Sequence, residues 1–315
     1  MKSSRTAFLF PGQGSQEVGM GQTLAQEYMA AREVYGEADD CLGFAISRLS
    51  WEGPEEELND TVNTQPALLV HSAAALRVLQ TKLFGFAPAF VAGHSMGEFS
   101  ALVAAEALSF RDALALVRRR GELMKAAGVS SPGGMAAILG LDIPTLEEIC
   151  SQASARDQVA QVANDNCPGQ VVISGERTAL ARAMAAAERA GAKKVVPLAV
   201  SIAAHSPLMT QAQEDFNQAV TKAPIAAPKI PLIGNVGARP LTTPEEIRLD
   251  LQAQLTRRVR WTETIQFLLA QGVDTFIEIG SGDVLTGLVK RIERQTTRLS
   301  LGTPVDFAKI MGSEE

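Results

Sequence analysis

The residues with the clearest capacity for chemistry are Gly93-His94-Ser95-Met96-Gly97, a serine with a glycine two positions away on either side. A serine on a sharp strand-to-helix turn stands clear of its sheet, and the N–H of the next residue points to where an oxyanion would form. The pattern Gly-x-Ser-x-Gly alone turns up by chance in roughly one chain in ten of this length. Its surroundings narrow that. Residues 87–92 (APAFVA) read as a buried strand, and residues 98–108 (EFSALVAAEAL) as a helix whose first turn adds partial positive charge at the serine. Ser95 is therefore a candidate nucleophile.

A serine hydroxyl needs a base near neutral pH, and the chain offers three histidines. His94 adjoins Ser95, and neighbouring side chains at a tight turn diverge. His71 sits inside an apolar helical run, PALLVHSAAALRVL, where a histidine is usually a packing residue. His205 falls in a loop between a strand pattern and a helix pattern, so exclusion favours it as the base. The loop Gly12-Gln13-Gly14 fails the dinucleotide fingerprint because Glu17 occupies its last glycine position, and no Gly-Lys-Ser/Thr follows. Two readings of it stand: a turn that brings the Gln13 backbone N–H to the carbonyl under attack, and a plain strand-to-helix connection. Arg118-Arg119-Arg120 looks like a solvated charge run, but helical phase separates its members. Phe110, Ala113, Leu114, Val117, Gly121 and Met124 form one apolar stripe, with Arg120 about 60° from its centre and Arg119 pointing away. A partly buried Arg120 needs an anion, either a protein carboxylate or a substrate carboxylate gripped by the planar fork.

The elements that must hold these groups alternate between strand and helix. Residues 6–10 (TAFLF) read as a first buried strand; helices follow over 19–41 and 65–83, then the strand and elbow, then a helix over 109–126. Such alternation predicts a parallel sheet covered on both faces. From 130 to 201 the pattern becomes strand 135–141, helix 145–153, strands 159–164 and 170–175, helix 177–191 and strand 193–200. That βαββαβ order is ferredoxin-like. The expected organisation is a large α/β domain over 1–129 and 202–315 with a small inserted domain over 130–201. Ser206-Pro207 then starts a helix to about 221, residues 228–234 and 275–279 read as strands, and a helix lies between them over 263–271.

With 315 residues, 46% of them hydrophobic, the chain has material for a large α/β core and a companion. A net charge of −6 provides no basic field for nucleic acid. Cys41, Cys150 and Cys167 are far apart without a C-x-x-C pairing, which argues against a disulfide framework and a metal site. No apolar run of 18 residues and no signal-peptide core occurs, so no membrane role is expected and the cytoplasm is the expected compartment.

Taken in order, FPGQGSQEVGMG (10–21), TQPALLVHSAA (64–74), GHSMGEFSALVAA (93–105), LVRRRGELM (116–124), NCPGQVVISG (166–175), VSIAAHSPLM (200–209), QLTRRVRWTETI (254–265) and EIGSGDVLTGLVKRI (278–292) resemble the malonyl-CoA:acyl-carrier-protein transacylase family over nearly the whole chain. The resemblance implies an α/β-hydrolase-like large domain with a ferredoxin-like subdomain. It also implies a ping-pong reaction without a bound cofactor: Ser95 takes malonyl from malonyl-CoA, His205 shuttles the proton, and the phosphopantetheine thiol of acyl carrier protein collects the acyl group. By the same resemblance Arg120 holds the malonyl carboxylate, Gln13 and Met96 supply oxyanion-hole N–H groups, and the main-chain carbonyl of Gln254 orients the histidine in a Ser-His dyad. The chain is expected to act as a monomer in fatty acid biosynthesis. An acyltransferase of a polyketide pathway is the same chemistry. A hydrolase of acyl carrier proteins would have no use for an arginine fork, and a non-catalytic scaffold would not need all these groups. Met96 stands where leucine is commoner and Ser281 where proline is frequent, neither removing a chemical group; Ile202-Ala203-Ala204 matches no acyl-choice signature. Positive charge for an acidic carrier protein is expected from Arg257, Arg258, Arg260, Lys290 and Arg291.

Overall fold

The computed structural model describes residues 5–311. Its strands are β1 (Thr6–Phe10), β2 (Phe90–Gly93), β3 (Gly133–Leu139), β4 (Ala160–Cys167), β5 (Gln170–Glu176), β6 (Lys194–Pro197), β7 (Leu232–Ile233), β8 (Pro240–Leu241), β9 (Thr275–Ile279) and β10 (Thr297–Leu301). They form two sheets. The larger runs β10-β9-β1-β2-β7-β8, parallel throughout except for β8 at its edge. Every residue of β1 is buried, as a central parallel strand covered on both faces requires. Phe8 and Phe10 join the core beneath the helices Thr61–Lys82, Gly97–Ala104 and Phe110–Ser130. Ala7 and Leu9 alternate into the opposite core, with Trp261, Ile265, Leu268 and Phe276.

Register decides where function can sit. Phe10 of β1 is level with Gly93 of β2, so the loops that leave these two strands emerge side by side at the carboxyl edge. The His94 N–H donates to Phe10 O at 3.0 Å and ties the two loops together.

The smaller sheet has the order β4-β5-β3-β6 and is antiparallel throughout. The helices Ile143–Ala153 and Arg177–Arg189 complete a βαββαβ unit with its own core of Ile138, Leu146, Ile149, Ile173, Leu180 and neighbours. Its link to the larger sheet is through β4: Asp165 N–H donates to Val259 O at 2.9 Å, and Val259 N–H to Ala163 O at 2.8 Å. Among the described residues no helix is long and apolar enough to cross a membrane.

Three local expectations change. The helix over 19–41 is two helices, Gln22–Glu27 and Met29–Leu42, because Tyr28 is extended (φ −113°, ψ 119°) with its ring edge-on to Phe307. The strand before the elbow begins only at Phe90. The edge strand β10 escapes notice in the sequence, since TRLSL is half-exposed and lacks the apolar run of a central strand.

Candidate active site

Ser95 is placed by the two ends of its own turn. Its backbone lies in the left-handed region at φ 52°, a strained setting for a residue with a side chain. A Cβ on Gly93 would come within 2.0 Å of the Gly97 carbonyl carbon, so the turn closes only with glycine there. A residue outside the motif holds it shut. Asn235, just after β7, accepts the Ser95 N–H at its Oδ1 (2.7 Å) and donates from Nδ2 to Gly93 O (2.8 Å). Because the Ser95 N–H is engaged, the next N–H along the turn belongs to Met96, at the N-cap of the helix Gly97–Ala104.

His205 also has a left-handed backbone, φ 58°, on the loop preceding the short 3-10 turn Pro207–Met209. Its Nε2 lies 2.8 Å from Ser95 Oγ. On the other side of the ring, Nδ1 is 2.8 Å from Gln254 O and 3.2 Å from Arg257 O. Both carbonyls can only accept, so Nδ1 carries the hydrogen and Nε2 presents its lone pair to the serine hydroxyl. Burial, together with the nearby Arg120 charge, pushes the imidazole down to about 3. Gln161 of β4 donates to His205 O at 2.5 Å, so the smaller sheet also braces the histidine. The other two histidines are occupied elsewhere. His94 meets Asn166 Oδ1 at 2.9 Å and packs edge-on against Trp261, and His71 bonds Gly302 O at 2.9 Å.

Arg120 is 2% exposed, deeper than its helical phase suggested. Its Nη1 donates to Gln65 Oε1 (2.8 Å), and its Nη2 to Gln254 Oε1 (3.0 Å) and Ser95 Oγ (3.1 Å). All three acceptors are neutral, and Nε meets no acceptor. Of the two partners open in the sequence, a touching protein carboxylate is absent: Arg120 forms no ion pair among the described residues. Its neighbours behave differently, since Arg118 and Arg119 both pair with Glu122, at 3.1 and 3.6 Å. Burial lowers the guanidinium to about 10, which leaves it cationic at neutral pH. A buried cation with neutral partners beside a nucleophile favours an anionic group on whatever binds there.

Gln13 is exposed on the loop after β1, and its Oε1 accepts from Thr61 Oγ1 at 2.9 Å. Thr61 in turn accepts from Gln65 Nε2 at 2.9 Å, which joins that loop to the Arg120 cluster. Asn235, Gln65, Gln161 and Glu98 are site neighbours that sequence reasoning did not single out. Asn235 sits in a Gly-Asn-Val-Gly stretch that reads simply as a turn. The basic residues considered for docking divide into two sets. Arg258 pairs with Glu147 (2.8 Å), Arg260 with Glu263, and Arg291 bonds Gln170. Arg257 and Lys290 are exposed and form no ion pair among the described residues. Arg257 also lines a cleft of about 790 Å3 between β4 and the 256–260 segment.

Known proteins resemble the chain over nearly its full length. The acyl transferase domain family matches residues 7–312. The chain is 46% identical over 301 residues to the malonyl CoA-acyl carrier protein transacylase of Bacillus subtilis, covering 96% of this chain and 94% of that protein. It is 45% identical over 302 residues to the protein of that name from Escherichia coli K12, covering 96% and 97%. Among solved structures, an acyl carrier protein S-malonyltransferase from Vibrio cholerae superposes with a TM-score of 0.94 at 41% identity, over 97% of this chain and 99% of that one. A malonyl-transacylase in complex with its type II PKS acyl-carrier protein superposes with a TM-score of 0.95 at 42% identity, over 98% and 99%. An α/β sheet with a serine elbow, a histidine on its hydroxyl and full-length similarity of this degree make the chain a member of the malonyl-CoA:acyl-carrier-protein transacylase family, an acyltransferase.

Proposed function

We propose that the protein transfers malonyl from malonyl-CoA to the phosphopantetheine thiol of an acyl carrier protein, through a malonyl ester on Ser95, in fatty acid biosynthesis. The observation that carries this reading is Arg120, buried and cationic with only neutral partners, its Nη2 3.1 Å from Ser95 Oγ. A free acyl carboxylate bound there would replace neutral acceptors by a charge-assisted bidentate pair, at a distance that leaves the thioester carbonyl over the serine.

In the first half-reaction Ser95 Oγ attacks the thioester carbonyl while its proton passes to His205 Nε2. The carbonyl oxygen becomes an oxyanion facing the Met96 and Gln13 N–H groups. The tetrahedral intermediate collapses, the C–S bond breaks, and the imidazolium returns the proton to the departing CoA sulfur. The second half-reaction runs the same steps in reverse order with the carrier thiol: His205 takes its proton, sulfur attacks the acyl-serine carbonyl, and Ser95 leaves with the proton. Gln254 O and Arg257 O hold the ring through Nδ1 in both halves, a task given to a carboxylate in a full triad. Neutral carbonyls also leave no fixed anion on the far side of the ring, which agrees with a base that stays unprotonated between turnovers.

On this reading the small sheet with its two helices is a separate domain over 130–201. The enzyme needs no resident cofactor and works in the cytoplasm as a monomer. Arg257 and Lys290, which pair with no carboxylate among the described residues, are the cations offered to an acidic carrier protein. The test is intact-protein mass spectrometry after mixing with malonyl-CoA. The wild type gains one malonyl group that a carrier protein then removes, and Ser95→Ala gains none. Malonylation of Ser95→Ala at the wild-type level refutes the nucleophile, and loss of the label to water as fast as to the carrier thiol favours a hydrolase.

A further inference from the structure

Behind the contact between Arg120 and Gln254 lies a pair of carboxyl groups that the reaction steps leave unused. Glu98, in the first turn of the helix Gly97–Ala104, is 0% exposed; Asp250, in the helix Pro244–Leu251, is 7% exposed. Glu98 Oε2 accepts from Gln254 Nε2 at 2.5 Å. Its Oε1 meets no donor among the described residues, and the Asp250 carboxyl lies close enough to Glu98 to act on its charge. An acceptor facing an acceptor makes no hydrogen bond, and two contacting carboxylates inside a protein repel. One proton between them turns the same contact into a strong acid-to-carboxylate hydrogen bond.

The surroundings say which group keeps the proton. Asp250 is solvated by backbone: the Val236 N–H reaches its two oxygens at 3.3 and 3.5 Å, and the Asn235 and Gly237 N–H groups also stabilise its charge. Glu98 receives only the side-chain amide of Gln254. Burial, then the Asp250 charge, raises Glu98 well above the usual carboxylate range. Arg120, from the helix Phe110–Ser130, is the other charged group facing it, and it acts in the opposite sense.

We propose that Glu98 is a positioning residue: it donates its proton to Asp250, and its remaining oxygen locks the Gln254 side-chain amide in the orientation that serves Arg120. In that orientation Gln254 Oε1 accepts from Arg120 Nη2 at 3.0 Å, while Nε2 reaches Glu98 and, at 3.2 Å, Ser95 O. Flipping the amide would set its NH2 against the guanidinium, donor against donor, and release one arm of the fork. The pair also keeps one negative charge behind Gln254, where it balances the arginine without covering it. An anion touching Arg120 would compete with the acyl carboxylate; an anion one residue further back does not.

This inference rests on Arg120 as the partner of the malonyl carboxylate, and its test separates the two. E98Q keeps both hydrogen bonds, its carbonyl accepting from Gln254 and its amide donating to Asp250, so its malonyl-CoA loading should stay within about threefold of wild type. E98A frees the Gln254 amide and should raise the KM for malonyl-CoA about tenfold or more, with acetyl-CoA loading much less affected. A loss in E98Q as large as in E98A overturns the proposal, as does an E98A enzyme that equals wild type or loses both acyl groups alike. Difference infrared spectroscopy of wild type against E98Q reads the shared proton directly and needs no E98A protein. The wild-type-minus-E98Q difference should carry a protonated-carboxyl band, and its absence from that difference overturns the proton pair whatever Arg120 binds. Should R120A in turn impair both acyl groups equally while the band behaves as expected, the carboxylate reading of Arg120 fails and the proton pair stands.

Discussion

The two sides of Ser95 are built on different principles. On one side the elbow, Asn235 and the histidine loop hold strained backbone in place: Ser95 and His205 both have positive φ, the turn is closed by glycine contact, and Asn235 bridges its two ends. On the other side Arg120 rests among neutral side chains from the helix Thr61–Lys82 and the 254 segment, with its Nε–H unsatisfied among the described residues. On the proposed reading the first side treats every acyl thioester alike, because it addresses only the carbonyl. On the same reading the second distinguishes, because only an acyl group with its own anion completes it. On that reading reactivity and choice of acyl group rest mainly on different side chains, with Gln254 serving both, and they should come apart on mutation.

The largest separation is expected from Arg120→Ala. Malonyl loading should lose roughly 2–4 kcal/mol of transition-state stabilisation relative to acetyl loading. Competing malonyl-CoA and acetyl-CoA in one mass-spectrometric experiment measures that ratio, and an unchanged ratio would erase the distinction between the two sides. Asn235→Ala attacks the opposite side. Losing two buried hydrogen bonds should cost about 1–3 kcal/mol in urea unfolding and slow the loading of both acyl groups in the same proportion. A selective loss of malonyl in this variant would show the elbow itself to be part of the choice.

The smallest expected effect is that of mild acid on activity. His205 is held at about 3, so the base stays unprotonated across the neutral range and kcat/KM for loading should be flat between about pH 6 and 8. An acid limb centred near the ordinary histidine value of about 6.5 would contradict this placement of the ring. Stability has a matching sign. The folded-state pKa is depressed, so below about 6.5 the unfolded chain binds a proton that the folded chain refuses, and stability falls as pH drops from there towards 3. His71 and His94 are lowered by burial as well and act in the same direction.

A second buried glutamate shows why burial alone assigns no role. Glu278, on β9, is 0% exposed and is raised to about 7 by burial, yet its two oxygens accept the N–H groups of Leu285 and Thr286 at 3.0 and 2.8 Å. It caps a helix, and both oxygens are satisfied. Glu98 differs in having one oxygen left against another acid. The partners distinguish the two glutamates: Leu285 and Thr286 follow Glu278 closely in the chain, whereas Asp250 is brought to Glu98 from a distant helix.

How much of this was legible beforehand follows the range of each interaction. The elbow is written in five consecutive residues between a strand and a helix, and Arg120 follows from the phase of one helix, so local periodicity reveals both. His205 emerges by exclusion because there are only three histidines to weigh. Asn235 gives no such signal: its hydrogen bond to Ser95 spans 140 positions, and a Gly-Asn turn is ordinary. The break at Tyr28 and the polar edge strand β10 are similar, each decided by what packs against it.

By itself the sequence determined the alternation of strands and helices, the serine turn and the buried face of the arginine helix. These depend on backbone geometry and hydrophobic period, which act over a few residues. Only the tertiary structure decided that the histidine's Nδ1 meets two carbonyls, that Arg120 touches no carboxylate among the described residues, and that Glu98 shares its burial with Asp250. Each of these is a balance of desolvation against hydrogen bonding between groups brought together from distant parts of the chain, and that balance does not exist until the sheets close around it.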